Sequence, residues 1–363
     1  MKALSRISLA IVMAGAVYVV ADARQQAVFR AETNYIEVVA SVTDKDGRFV
    51  EGLTAADFEI KEQGKRESVD SFSFVDLPRD GGPGSVPVAY RGDLPGDLRT
   101  IEGRLYLIYL NGATAANTPM VRSLATQFVT DHLRPGDRAA IWDSQYPLRD
   151  LTFTDDKATL LANIEPYTGA VGGGEDLPFA YRCGTSALGS FDIGQREACQ
   201  AALAEPHQYL SRAIGLFNAI QGRRKSIVLF AGGWNGPTDP VTRADITLYA
   251  VDVRGLVATD SSILGGGLVG PEQATAVATK MSTLNQSVDG LYNLAMRTGG
   301  FAVVNRNEFT KGFERIVEAN SQYYVLGYAS SYTRKDRVFR DLEVKVRKPG
   351  LKVHARRGYY PRF

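Results

Sequence analysis

Between residues 104 and 320 the chain alternates short apolar segments with segments of helical periodicity. The first apolar segment, residues 105–110, is almost continuously apolar, which is typical of a parallel strand covered on both faces. The helical pattern that follows places several apolar residues on one face: Val121, Leu124, Ala125, Phe128, Val129 and Leu133. This alternation predicts an α/β fold with a doubly wound, mostly parallel sheet.

Further strands of this sheet are predicted at residues 138–142, 225–230, 247–253 and 301–304, and helices at 288–296 and 308–320. Asn117 is placed to cap the first helix, and Pro119 lies in its first turn. Two Gly-rich stretches, residues 167–205 and 255–282, show no clear period and are interpreted as irregular insertions. Residues 101–321 are therefore assigned to one α/β domain.

Alternating apolar and polar residues indicate β segments on both sides of this domain. The N-terminal segment, residues 34–76, and the C-terminal segment, residues 322–363, each hold about three or four strands, too few to bury one apolar face alone. We therefore expect the two segments to pair into one accessory β module. Residues 77–100 are rich in Gly, Pro and Asp, and this composition predicts a linker.

The C-terminal segment ends in two alternating stretches, around Val344 and Val353, which Pro349 and Gly350 separate. This arrangement predicts a hairpin. From Arg334 onward there are 11 Lys or Arg and 3 Asp or Glu, and 11 − 3 gives a local charge of +8. The excess fits either contact with an anionic surface or a solvated outer face, and the charges at every second position favour the solvated face.

The N-terminus has the pattern of a secretory signal peptide. Lys2 and Arg6 precede an apolar run, residues 7–20, and Ala21 and Ala23 form a small-x-small cleavage site. Because the run is short for a membrane span, we expect cleavage after residue 23 and no stable transmembrane segment afterwards. The protein would then be periplasmic or secreted. A formal net charge of +2 does not indicate a nucleic-acid-binding protein.

The two cysteines, Cys183 and Cys199, both lie in the first Gly-rich insertion. In an exported chain an exclusive pair of this kind predicts a disulfide bond. Closing a loop of this length stabilises the folded state by about 3 kcal/mol in the chain-entropy model. The alternative is a catalytic thiol, which needs a nearby base, and the three histidines form no cluster in the sequence.

The junction of residues 104–110 with the following loop resembles the von Willebrand factor A-type domain. In that family the first strand normally ends in Asp-x-Ser-x-Ser, which begins a Mg²⁺ site, and here the three positions hold Asn111, Ala113 and Ala115. A later family position, an aspartate, holds Gly232. Hard cations need several oxygen ligands, usually with a carboxylate. The resemblance therefore implies the fold, while these residues predict no metal site and no cofactor.

Five further phrases, at residues 42–58, 249–255, 298–302, 323–328 and 355–361, resemble the bacterial exported VWFA-related family. The resemblance spans nearly all of the chain after the signal peptide. It implies an exported A-type domain flanked by β segments, and it implies no settled substrate.

The sequence shows no nucleophile elbow, no His-Glu-x-x-His helix and no P-loop. We therefore predict a non-catalytic interaction protein whose ligand is a protein or a cell-envelope component, bound at the carboxyl ends of the strands without a metal bridge. The alternatives are a secreted hydrolase with a dispersed active site and a structural envelope component. The candidate ligand contacts are Asn111, Asn117, Tyr181, Arg182, Trp234 and Asn235.

Overall fold

The computed structural model describes residues 35–77, 104–111, 117–143, 152–169, 210–215, 217, 224–236, 238–242, 244, 246–256, 271–332, 336 and 338–361. Within residues 239–240 and 271–280 it describes the backbone alone. All of these residues belong to one compact unit, residues 34–363.

The strands are β1 (Tyr35–Thr43), β2 (Phe58–Glu62), β3 (Lys65–Glu67), β4 (Ser71–Asp76), β5 (Leu105–Asn111), β6 (Arg138–Asp143), β7 (Lys225–Ala231), β8 (Thr247–Asp252), β9 (Ala302–Val303), β10 (Gln322–Ala329), β11 (Arg340–Val346), β12 (Lys352–Ala355) and β13 (Gly358–Tyr359). The helices are α1 (Thr118–Gln127), α2 (Lys157–Ile164), α3 (Asp239–Thr242), α4 (Pro271–Met296) and α5 (Thr310–Ser321). Residues 210–215 are also helical.

Five strands form a parallel sheet in the order β6, β5, β7, β8, β9. The strands of this sheet are almost fully buried, since β5, β7 and β8 have apolar side chains on both faces. This is the environment that a continuous apolar strand predicts. The sequence prediction of an α/β fold with a parallel sheet is confirmed.

Helices cover both faces of the parallel sheet. On one face, α1, α2 and α5 pack against alternate residues of β5, among them Tyr106 and Ile108. On the other face, α3, α4 and the helical residues 210–215 pack against Leu105, Leu107 and Tyr109. Each strand therefore divides its side chains between two cores, as its two-residue period requires.

The terminal β strands form two antiparallel four-stranded sheets, which we call the sandwich. One sheet has the order β12, β1, β10, β4 and the other β13, β11, β2, β3. Thus β1 from the N-terminal segment lies beside β10 and β12 from the C-terminal segment. The two sheets share one core in which the ring of Tyr324 lies 5.3 Å from that of Phe58 on the opposite sheet.

The hairpin predicted around Pro349 and Gly350 is wrong. Strand β11 pairs with β2 and β13, whereas β12 pairs with β1 in the other sheet. The turn, in which Gly350 has φ +79°, takes the chain from one sheet of the sandwich to the other. The alternating apolar residues of both strands face the same core, so the pattern fits two facing sheets as well as one hairpin.

Helix α4 is much longer than predicted. It begins at Pro271 within the stretch that was interpreted as an irregular insertion, residues 255–282, and continues to Met296. Its N-terminal half is rich in Ala and Thr, so the apolar period on which the prediction depended is weak there. In the described part of the chain no helix combines the length and the apolar character needed to cross a lipid bilayer.

Candidate functional site

The carboxyl ends of the parallel strands lie at one edge of the sheet, which we call the carboxyl edge. The strand order of the sheet reverses between β5 and β7. Open α/β sheets bind ligands beyond the carboxyl ends of their strands at such a point, because the loops diverge there and leave a crevice. Asn111 ends β5 and is aligned with Ala231 at the end of β7. The sequence candidates that follow β5 and β7 therefore belong to this edge.

Three of the predicted contacts lie at this edge with solvent access. Asn111 is half-buried, and Asn117 occupies the N-cap position of α1 without a side-chain cap hydrogen bond. Asn235, four residues after β7, is exposed. Gly232 directly follows β7. Apart from Trp234, the other residues named in the sequence lie outside the described residues: Ala113, Ala115, Tyr181, Arg182, Cys183 and Cys199.

Trp234 does not offer its side chain to a ligand in this structure. It is 4% exposed and packs in the core between the sheet and α4. Its indole Nε1 donates a hydrogen bond to the carbonyl oxygen of Gly236 at 2.9 Å. The aromatic side chain, which favoured a binding role in the sequence, instead anchors the loop after β7.

An ion pair that the sequence analysis did not identify lies at the end of β8. Asp252 is fully buried, and Arg254 is bound to it in a bidentate arrangement, with Nε 2.8 Å from Oδ1 and Nη2 2.6 Å from Oδ2. Charge-assisted, bidentate hydrogen bonds of this type are the strong ones, because both are short and their geometry is fixed. The remaining guanidinium nitrogen, Nη1, donates a hydrogen bond to Ser287 Oγ at 2.9 Å.

Ser287 connects this ion pair to α4 and to the loop after β7. Its hydroxyl donates to the carbonyl oxygen of Leu284, and its own carbonyl oxygen accepts from the backbone N–H of Trp234 at 2.9 Å. Gly233 has φ +109°, and a Cβ there would lie 2.8 Å from Ser287 Oγ. Only glycine fits this position without a shift of the helix, so the loop, the helix and the ion pair form one rigid unit.

The described residues of this edge do not fit a Mg²⁺ ion. Asn111 offers a neutral amide oxygen, Gly232 offers no side chain, and both oxygens of Asp252 are occupied by Arg254. The other buried carboxylate at this edge, Asp143 on β6, is three strands away from β8, roughly 14 Å. In the described ranges no group of three His, Cys, Asp or Glu residues is arranged to hold a metal ion.

Two large apolar side chains at this edge are exposed to solvent. Met120, in the first turn of α1, is 43% exposed, and Leu256, after β8, is 62% exposed. The backbone N–H of Leu256 donates to Asn307 Oδ1 at 2.8 Å, which links the loops after β8 and β9. The side chain of Leu256 is therefore held outward by a fixed backbone. Single exposed apolar side chains are common on protein surfaces, and these two are accessible to a protein partner.

The ion pair could have been anticipated in part from the sequence. Asp252 ends a strand that is otherwise apolar, and a charged residue in that place requires a partner when it is buried. Arg254 lies two residues later, but Ser287 is 33 positions from Arg254 and belongs to a helix whose first half was not predicted. No local pattern connects those two residues.

Comparison with known proteins adds no assignment. A scan against protein-family models finds no match. A search of the curated proteins finds no match either.

Proposed function

We propose that this chain is an exported, non-catalytic interaction protein with a von Willebrand A-like α/β domain, and that it binds a protein partner of the cell envelope through the carboxyl edge of its parallel sheet without a metal bridge. The parallel sheet, its strand order and the resemblance noted in the sequence support the A-like assignment. The site's chemistry supports the mode of binding.

The observation that carries the proposal is the closed set formed by Asp252, Arg254 and Ser287. In the family that the sequence resembles, a cation at this edge would receive an acidic group from the partner. Here the positive charge belongs to Arg254. Its hydrogen bonds occupy both carboxylate oxygens of Asp252 and the hydroxyl of Ser287, so these oxygens are not free to bind a cation. Among the described residues, the contacts that this edge offers next to the ion pair are neutral polar and apolar side chains.

The contacts that would meet the partner are Asn111, Asn235, Met120 and Leu256, which follow the carboxyl ends of β5, β7 and β8. Two amides and two flexible apolar side chains suit a protein surface, because amides hydrogen-bond to backbone groups and methionine adapts to irregular apolar surfaces. Trp234, directly before Asn235, is buried in the core and holds the loop after β7 in place.

Export and the disulfide bond belong to the same proposal. The signal peptide, residues 1–23, would bring the chain to an oxidising compartment, where Cys183 and Cys199 form a bond. Peptide mapping of protein purified from its native compartment without reductant would find the two cysteine peptides linked. Two freely alkylated thiols would contradict this part.

The binding surface is tested by capture from native cell-envelope extract on immobilised protein. We expect wild-type protein to retain one defined protein, and Leu256→Glu to reduce its recovery about tenfold, since truncation or reversal at an interface centre costs about 1.4 kcal/mol or more. The matched control is Val338→Glu, because Val338 is comparably exposed, at 56%, but lies in the segment that leads into β11 of the sandwich.

Asn235→Lys provides a second variant at the same edge, chosen because Asn235 is exposed and its substitution leaves the core intact. Equal recovery with wild type, Leu256→Glu and Asn235→Lys would refute binding at this edge. Loss with Val338→Glu alone would move the binding surface to the sandwich.

A further inference from the structure

The sandwich meets the α/β domain along a junction between β12 and the segment that follows α4. The backbone N–H of Arg357 donates to the carbonyl oxygen of Arg297 at 3.1 Å, and Thr298 forms an antiparallel bridge with Arg356. Gly299 has φ +81°, and a Cβ there would lie 2.8 Å from the carbonyl carbon of Ala355. The two parts are therefore in direct backbone contact on this side.

A small pocket opens beside this contact. Its polar lining comes from Ser41 and Thr43 on β1, His354 on β12, and Arg315 and Glu318 on α5. Ser41 and His354 are aligned across β1 and β12, so both side chains leave the same face of the sheet. The free space inside admits a group about the size of one water molecule.

One lining residue, His354, has a polar atom without a partner in the described part of the chain. The imidazole Nε2 of His354 is buried and has no hydrogen bond within the described residues. Burial, followed by the charges of Arg315 and Lys352, lowers the pKa of His354, so the ring is neutral near pH 7 and presents one N–H donor. In the tautomer with the proton on Nε2, this buried donor lacks an acceptor, which is costly, and a ligand oxygen would supply one.

The mouth of the pocket is positively charged. The guanidinium of Arg315 lies 3.9 Å above the ring of Phe301, and no hydrogen bond or ion pair joins it to a described residue. Lys352 lies on β12 two residues from His354 and is aligned with Thr43, and the charge of Arg306 also acts on Arg315. Glu318 is the one carboxylate of the lining. Arg315 thus lines the pocket, while Asp44 and Asp46, in the turn that holds Gly47, are already paired with Arg48.

We propose that this pocket binds a small oxyanion of the phosphate or sulfate class. One oxygen enters the pocket and accepts hydrogen bonds from His354 Nε2 and from the hydroxyls of Ser41 and Thr43, while Arg315 and Lys352 neutralise the remaining charge at the mouth. Because Ser41, Thr43, His354 and Lys352 belong to the sandwich and Arg315 belongs to the α/β domain, a bound anion fastens the two parts to each other.

The first test is thermal unfolding in inorganic phosphate against sodium chloride of equal ionic strength, which removes general screening from the comparison. At ten times the dissociation constant we expect phosphate to raise the Tm of the full chain by about 2 °C. Arg315→Gln should weaken the apparent affinity about tenfold or more, because it removes a charge-assisted hydrogen bond. Lys352→Gln is the second variant and should act in the same direction.

The matched control is Arg66→Gln, since Arg66 is an exposed arginine on β3 in the other sheet of the sandwich. It should respond to phosphate as wild type does. Phosphate titration followed by NMR locates the site directly, because the chain has only 3 histidines and the imidazole signal of His354 should move with saturation. The His354→Gln variant assigns that signal.

The source of the oxyanion is distinguished by co-sedimentation with phosphatidylglycerol vesicles. Vesicle binding that Arg315→Gln abolishes and phosphate displaces would identify a lipid headgroup, whereas a phosphate response without vesicle binding would identify a free anion. No phosphate-dependent rise in Tm together with an unmoved His354 signal would overturn the proposal. An equal response in Arg315→Gln, Lys352→Gln and Arg66→Gln would overturn it as well.

Discussion

The two edges of the parallel sheet each contain an Arg–Asp ion pair, and the two pairs have different surroundings. At the amino edge, Arg104 and Asp137 are 3% and 1% exposed, and Arg104 Nη1 also donates to Ser321 Oγ at 2.5 Å. Ser321 ends α5 directly before β10 of the sandwich. At the carboxyl edge, Asp252 is fully buried but Arg254 is 14% exposed and is bonded to a helix of its own domain.

The difference shows how one sheet can use the same chemistry for two purposes. The amino-edge pair joins the starts of β5 and β6 to the residue before β10 of the sandwich, and the ring of Tyr323 on β10 lies under Arg224 at 4.4 Å on the same side. That edge is closed by protein. The carboxyl-edge pair holds the loops after β7 and β8 in place, while Asn235 and Leu256 beside it face solvent. Rigidity without closure is what a binding surface needs.

The largest effect is expected at the amino edge. Asp137→Ala removes the acceptor for Arg104 Nε, at 2.7 Å, and for the backbone N–H of Arg134, at 2.9 Å, and leaves a buried guanidinium uncompensated. We expect the free energy of unfolding to fall by about 3–5 kcal/mol in urea denaturation. Asp155→Ala, at an exposed aspartate before α2, is the matched control and should stay within about 0.5 kcal/mol of wild type.

A somewhat smaller effect is expected at the carboxyl edge. Arg254→Met leaves the buried Asp252 carboxylate without its partner, and we expect a loss of about 3 kcal/mol in the same assay. The double variant Asp252→Leu with Arg254→Met should recover much of that loss, because no charge then remains buried. If Arg254→Met cost more than Asp137→Ala, the carboxyl-edge pair would be the more important one for folding and the comparison would reverse.

A pH-dependent effect is expected at His132, which follows α1 and precedes β6. Its ring packs 5.3 Å from that of Phe313, and neither ring nitrogen has a hydrogen bond in the described part of the chain. Burial lowers the pKa of His132, so the unfolded chain takes up a proton at a higher pH than the folded chain does. The contribution of the neutral His132 ring to the free energy of unfolding is therefore complete above about pH 6.5. It decreases as the pH falls from there towards the lowered pKa of the folded state.

Replacing His132 with Phe should make the free energy of unfolding less dependent on pH between about 7 and 5, because the aromatic packing is kept and the titrating group is removed. Denaturation curves at several pH values measure this. His354 also has a lowered pKa, so His354→Gln separates the contributions of the two rings. An unchanged pH slope in His132→Phe would show that this histidine does not control acid stability.

The strands were predictable because burial on both faces leaves a continuous apolar signature, as in β5, and burial on one face leaves alternation, as in β1. The pairing of the strands on either side of Pro349 could not be predicted. Alternation of apolar and polar residues shows which face of a strand is buried, but it does not show which strand is its neighbour. The start of α4 was missed because its Ala and Thr residues give little apolar periodicity. At the site, Asn111 and Gly232 could be located from strand ends, whereas Trp234 was assigned by residue type and is buried.

The link between the carboxyl-edge ion pair and Ser287 was the part that the sequence could not supply. Its geometry depends on the close approach of α4 to the loop after β7. Two glycines permit this approach, because a Cβ at Gly233 would lie 2.8 Å from Ser287 Oγ and a Cβ at Gly290 would lie 1.7 Å from the carbonyl oxygen of Trp234. Such an approach joins three segments that are distant in sequence. Only the folded chain shows that the charge of Asp252 is already neutralised.

The central claim is that Arg254, rather than a metal ion, supplies the positive charge at the carboxyl edge. The most direct test is the thermal unfolding of the metal-stripped full chain with and without millimolar Mg²⁺, Ca²⁺ or Mn²⁺ at constant ionic strength. A metal bound to the folded state at 100 times its dissociation constant would stabilise it by about 2.7 kcal/mol, which the melting curve would register. We predict no shift in Tm with any of the three ions. A rise in Tm that Asn111→Ala abolishes would contradict the claim.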